Sequence, residues 1–120
     1  MAADWGAKLG YTRETLADVN RRAVQMLEPL RDEYETDASR VVISGCIGPR
    51  GDGYSPDYIM SEQEAEAYHR EQIETFASTS VDMVSVFTLN YSEEAIGIVR
   101  AARKAEMPVV VSFKIGRAHV

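Results

Sequence analysis

The stretch VDMVSVFTLNYSEEAIGIVRAARKAEMPVVVSF, residues 81–113, decides the fold. It opens on an apolar run, 81–87, in which Met83, Val84, Val86 and Phe87 predict a strand. Leu89 to Tyr91 reads as a short loop. Ser92 is then placed to cap a helix, and Glu93 and Glu94 suit its first turn, where the helix dipole favours negative charge. Ala95, Ile96, Ile98, Val99 and Ala102 supply an inner face, and Arg100, Arg103 and Lys104 suit the negative end of the same dipole. Met107-Pro108 stops the helix, because proline has no amide hydrogen to donate. Val109, Val110, Val111 and Phe113 predict a further buried strand. A strand, an amphipathic helix and a second strand imply parallel pairing through a right-handed crossover.

Upstream, the same rhythm continues. Val41, Val42 and Ile43 lack polar alternation and read as a strand buried on both faces, ended by Ser44 and Gly45. Residues 46–60 form a loop with Gly48, Pro49, Gly51, Gly53 and Pro56, far longer than the roughly 2–6 residues usual in α/β units. Ser61-Glu62-Gln63-Glu64 is a capping box for a helix reaching about Ser78, with Ala65, Tyr68, Ile73, Phe76 and Ala77 as its inner stripe. Its acidic face, through Glu62, Glu64, Glu66, Glu71 and Glu74, reads as solvated with few basic partners. The first helix spans 12–34, with Leu16, Val19, Ala23, Met26 or Leu27, Leu30 and Tyr34 at helical spacing, and Pro29 predicts a bend or break. The expected class is α/β, in the order α-β-α-β-α-β with about three parallel strands. Three strands leave open a barrel sector or a doubly wound sheet.

Composition narrows the function. A net charge of −6 repels a phosphate backbone, which argues against a nucleic-acid partner. No apolar run is long enough to span a bilayer, and Met1 to Lys8 lacks the apolar segment of a signal peptide. Cys46 is the single cysteine, so neither an internal disulfide nor a multi-thiolate zinc site is available, and a reducing cytoplasm is the expected compartment. The tail 114–120 breaks the pattern. Ile115 to Val120 corresponds to one reading frame of a common DNA-sequencing adapter, so the natural domain is expected to occupy residues 1–113.

An ordered series of segments carries a family resemblance. Val42-Ile43-Ser44-Gly45-Cys46-Ile47-Gly48-Pro49-Arg50-Gly51-Asp52-Gly53-Tyr54 is followed by Met60-Ser61, Glu64-Ala65-Glu66-Ala67-Tyr68-His69 and Gln72-Ile73. Val81-Asp82-Met83-Val84, Thr88, Glu93-Glu94-Ala95, Val99-Arg100-Ala101-Ala102 and Pro108 to Phe113 continue in register. Together they resemble the homocysteine S-methyltransferase family. The resemblance implies a TIM barrel of which this chain holds about three of eight strands. It also implies zinc-dependent methyl transfer to a thiol, with a small-molecule thiol acceptor and a methyl donor as partners. The family's zinc is held by three cysteines at positions this chain does not contain, so the chain itself is expected to hold no metal and to be inactive. At the end of strand 82–87, many members carry a glutamate that binds the amino group of homocysteine. Phe87 stands there instead, which keeps a different acceptor open.

Barrels of this kind place their active sites at the C-terminal ends of the strands. The substrate-binding candidates are therefore Gly45, Cys46, Gly48 and Thr88. Cys46 would line the pocket, the glycines would bring backbone amides close to substrate, and Thr88 would hydrogen-bond it. Core packing of Cys46, tight turning at the glycines and local capping by Thr88 remain the alternatives. Two further readings stay open: a short self-associating α/β module without activity, and a barrel enzyme with another substrate.

Overall fold

The computed structural model describes residues 1–116. In chain order they form α1 (Ala3–Lys8), α2 (Arg13–Tyr34), β1 (Ser44–Ile47), α3 (Glu62–Ala77), β2 (Met83–Leu89), α4 (Ser92–Lys104) and β3 (Val109–Phe113). The strands form one parallel sheet in the order β1-β2-β3, with Cys46 opposite Ser85 and Ser85 opposite Val110. The expected alternation is present, with the short helix α1 added in front.

The helices settle the choice of architecture. Val84 and Val86 of β2 share one core with Ile73 and Phe76 of α3, Ile98 and Ala102 of α4 and Val24 of α2. Gly45 opens the space for this packing, because a Cβ there would stand 2.7 Å from the Phe76 ring. At Gly97, α4 lies so near α3 that a Cβ would come within 2.6 Å of the Glu66 amide nitrogen. The opposite sheet face carries Ser44 and Cys46 of β1, Ser85 and Phe87 of β2 and Val110 of β3, and no helix among the described residues covers it. Ser44 and Ser85 hydroxyls join across it at 2.7 Å. A doubly wound sheet carries helices on both faces. Strands in chain order with helices on one face make a sector of an α/β barrel, whose bare face turns toward the barrel axis.

Several boundaries differ from the expectation. Val41 to Ile43 approach the sheet without joining its ladder. The Val41 amide donates to Glu35 and the Ile43 amide to the Asp82 carboxylate, while the Ile43 carbonyl accepts from the Asp82 amide at 2.9 Å; paired strand begins where Ser44 meets Met83. Ser44 and Gly45 thus begin β1 rather than end it. β2 continues through Leu89, which is buried, and Tyr91 rather than Ser92 caps α4, without a side-chain bond. β3 is not buried on both faces: Val110 and Phe113 are exposed where the sheet ends.

In α2 the side facing the core runs through Asn20 and Val24, while Met26, Leu30 and Tyr34 are exposed. The polar face wins because it makes bonds: Asn20 binds the Met1 carbonyl, Glu28 accepts from the Ser80 hydroxyl and Arg31 donates to the Ser80 carbonyl. Pro29 does not break the helix. The helix continues through it, since the carbonyl it leaves unpaired, that of Gln25, lies on the exposed side. The acidic face of α3 has more basic partners than expected: Arg100 pairs Glu62, Lys104 pairs Glu66, Arg13 pairs Glu71 and Arg70 lies near Glu74. No helix of the described residues is long and apolar enough to cross a membrane.

Candidate active-site rim

The C-terminal ends of β1 and β2 lie side by side, and the loop 48–61 folds over them. Gly51 turns the loop with a positive φ of 77°, which glycine adopts without a Cβ penalty. The Asp52 carboxylate accepts from the Tyr54 amide at 2.7 Å, a local turn within the loop. Asn90 donates to the Asp52 carbonyl at 3.5 Å, and a Cβ on Gly53 would stand 3.4 Å from Thr88 Oγ1. Lys114, following β3, places its ammonium 4.1 Å from the centre of the Tyr54 ring.

The sequence candidates separate on this frame. Cys46 is exposed on the bare sheet face, Gly48 opens the loop and Thr88 sits beneath Gly53. These three share the rim. Gly45 does not join them, since it is buried toward the helices under Phe76. Thr88 holds φ 61°, a left-handed conformation that is costly for a β-branched residue, and its hydroxyl bonds the Phe87 carbonyl at 2.7 Å. Strain of this kind persists where the surroundings enforce it, and it gathers at functional sites. Phe87 lies on the bare face, half exposed.

Two residues beneath the rim escaped the sequence reading. His69 of α3 and Glu94 of α4 are both fully buried, with Nε2 and Oε1 2.9 Å apart. The same Oε1 accepts from the Arg50 amide at 2.7 Å, so it acts as acceptor and His69 Nε2 as donor. His69 Nδ1 and Glu94 Oε2 make no hydrogen bond among the described residues. The sequence reads Glu94 as a helix-dipole residue in the first turn of α4, and the structure turns its side chain inward. The missed signal was periodicity: His69 stands four residues from both Ala65 and Ile73, and Glu94 four before Ile98, each on an apolar stripe. A titratable residue on such a stripe needs a buried partner.

Arg50 anchors the loop from outside. Its guanidinium donates to Asp4 at 2.9 Å, lies over the Tyr68 ring at 4.4 Å, and approaches the Met60 sulfur at 3.7 Å. The bond to Asp4 pushes the Arg50 pKa up, and burial pushes the Tyr68 phenol up. A cavity of about 330 Å³ beside Arg50 is lined by Asp4, Asp57, Tyr58, Met60 and Glu64. Tyr58 donates to Glu64, which raises the phenol's pKa, while the Ser61 amide, then Tyr58, hold Glu64 below the ordinary 4.5. No three His, Cys, Asp or Glu side chains come together among the described residues.

Comparison with known proteins agrees with the geometry. A family model described as Homocysteine S-methyltransferase matches residues 3–119. A betaine-homocysteine S-methyltransferase of Drosophila melanogaster is 32% identical over 101 residues, covering 72% of this chain. The chain spans 30% of the length of that relative. No solved structure matches the chain. A match over nearly the whole chain, on a barrel sector whose strand ends converge under one loop, places the chain in the homocysteine S-methyltransferase family.

Proposed function

We propose that this chain is part of a longer barrel methyltransferase, and that its strand-end rim receives a thiol acceptor. The observation that carries the reading is the position of Cys46, Gly48 and Thr88 toward the C-terminal ends of β1 and β2, with Gly53 of the loop beside Thr88, at the barrel end where substrates bind. In such a transfer the acceptor sulfur forms a bond to the donor's methyl carbon as the donor's own bond to that carbon breaks. The rim's part is to hold the acceptor: backbone amides from the glycine-rich loop and the Thr88 oxygen, free to accept while its O–H is donated to the Phe87 carbonyl, are its available polar groups. A zinc ion activating the thiol would take its ligands from outside this stretch. The isolated chain is therefore expected to transfer no methyl groups, and the cytoplasm suits a protein with one exposed thiol.

Phe87 shapes the acceptor. A half-exposed phenyl gives an ammonium no carboxylate to pair with, so the rim favours a thiol whose amino group is absent or points elsewhere. The test is methyl transfer by the longer protein carrying this stretch, from betaine to a panel of thiols, read by mass spectrometry. Methylated thiol is expected, with thiols lacking an amino group among the accepted ones. Transfer to oxygen or nitrogen acceptors alone would overturn the reading. Replacing Thr88 by Val should lower kcat/KM for the thiol by about tenfold, the loss of one hydrogen bond of about 1.4 kcal/mol.

A further inference from the structure

We infer that the buried His69–Glu94 pair is a positioning device that fixes the loop 48–61 over the acceptor rim. The inference rests on the proposed function for what the loop covers, but the latch itself stands on geometry. Both ends of the loop are fastened to the start of α4. Near its beginning, the Arg50 amide donates to Glu94 Oε1 at 2.7 Å. Near its end, the Met60 amide donates to the Tyr91 hydroxyl at 3.2 Å. Between them, the Asp52 carbonyl accepts from Asn90. Residues 90, 91 and 94 thus present three polar groups to the loop backbone, independent of the loop's side chains.

Glu94 is the centre of this arrangement. Its carboxylate is wholly buried, and it stays aimed at the Arg50 amide because His69, across the α3–α4 contact, donates to the same oxygen. The close approach of α3 and α4 at Gly97 brings the two side chains within reach. His69 is held in turn by the Tyr68 ring, edge-on with centroids 4.8 Å apart, and Tyr68 also carries the Arg50 guanidinium. The Arg50 backbone is thus tied to Glu94 of α4, which His69 of α3 holds, while the Arg50 side chain lies on Tyr68, the residue before His69. Neither His69 nor Glu94 reaches the rim, so their effect on substrate passes through the loop.

The experiment uses the longer protein with four variants: Glu94→Gln, Glu94→Leu, His69→Phe and, as a core control, Ile98→Val. Amide hydrogen exchange of the peptide containing Arg50 is measured beside steady-state kinetics. Glu94→Gln keeps an oxygen acceptor in place and should retain slow exchange. Glu94→Leu and His69→Phe should speed exchange in 48–61 at least tenfold and raise KM for the thiol about tenfold, with kcat changed less than threefold. The control should lower thermal stability and leave loop exchange and KM alone. If Glu94→Leu or His69→Phe leaves loop exchange at the control's level, the latch is overturned. If one of Glu94→Leu and His69→Phe fails to fold, the other carries the test, with Glu94→Gln as its folded reference. Fast exchange with an unchanged KM would keep the latch but remove its positioning role, and would count against the rim as acceptor site.

Discussion

Single residues decide more here than their chemistry suggests. Gly45 belongs to packing: replacing it by Ala drives a methyl into the Phe76 ring and should cost about 1–3 kcal/mol in urea unfolding. Pairing it with Phe76→Leu should recover part of that loss, because the two sites share one contact. Glu35 makes a prediction for pH. Its carboxyl lies below the ordinary 4.5, first because the Val41 amide donates to it and then through Arg40. A depressed folded pKa stabilises the fold above the unfolded value, and that contribution fades as pH falls through the folded one. Thermal midpoints of the wild type and Glu35→Gln should differ near neutral pH and converge as pH falls below 4.5 and through the depressed folded pKa. A constant gap would show that the Val41 bond does not set the shift. Cys46, Gly48 and Thr88 could be assigned to strand ends only approximately, because β1 starts only after its apolar run, at Ser44, and β2 continues through Leu89. His69 and Glu94 were not legible, because their partner lay across a helix contact that spacing within one helix does not reveal.

At the scale of elements, the helices were read more surely than the strands. The Ser61 capping box and the stop at Met107-Pro108 are local signals, and α3 and α4 begin and end close to them. β1 was misplaced because its apolar run, 41–43, is bonded by side chains of Glu35 and Asp82, which no local pattern reports. The α2 stripe failed for a related reason: helical spacing finds an apolar face, yet polar bonds from Asn20, Glu28 and Arg31 choose which face turns inward. The α3–α4 contact depends on Gly97. A methyl there meets the α3 backbone, which cannot move aside as a side chain can, so Gly97→Ala should destabilise the fold by roughly 1–3 kcal/mol. The same change should speed hydrogen exchange in the loop 48–61, since it separates His69 from Glu94. Unaltered stability would show that the helices can part at little cost.

For the whole molecule, the unfinished barrel is the governing fact. The sheet shows a bare face with Phe87 and Val110 half exposed, and Val42 and Phe113 extend the apolar surface at its two sides. Sheet edges left unpaired invite association. The isolated chain should therefore self-associate with rising concentration, as sedimentation velocity would report, whereas a monomer at all concentrations would show that the bare face tolerates water. In a closed barrel the same face becomes interior, and the proposed function puts Phe87 among the acceptor's surroundings. The measurement that tests this most directly compares kcat/KM for homocysteine with that for its analogue lacking the amino group, in the longer protein and its Phe87→Glu variant. A carboxylate there should shift the preference toward homocysteine by about tenfold or more, the worth of one charge-assisted hydrogen bond. An unchanged preference, in an enzyme that still methylates both thiols, would contradict the placement of the acceptor at this rim.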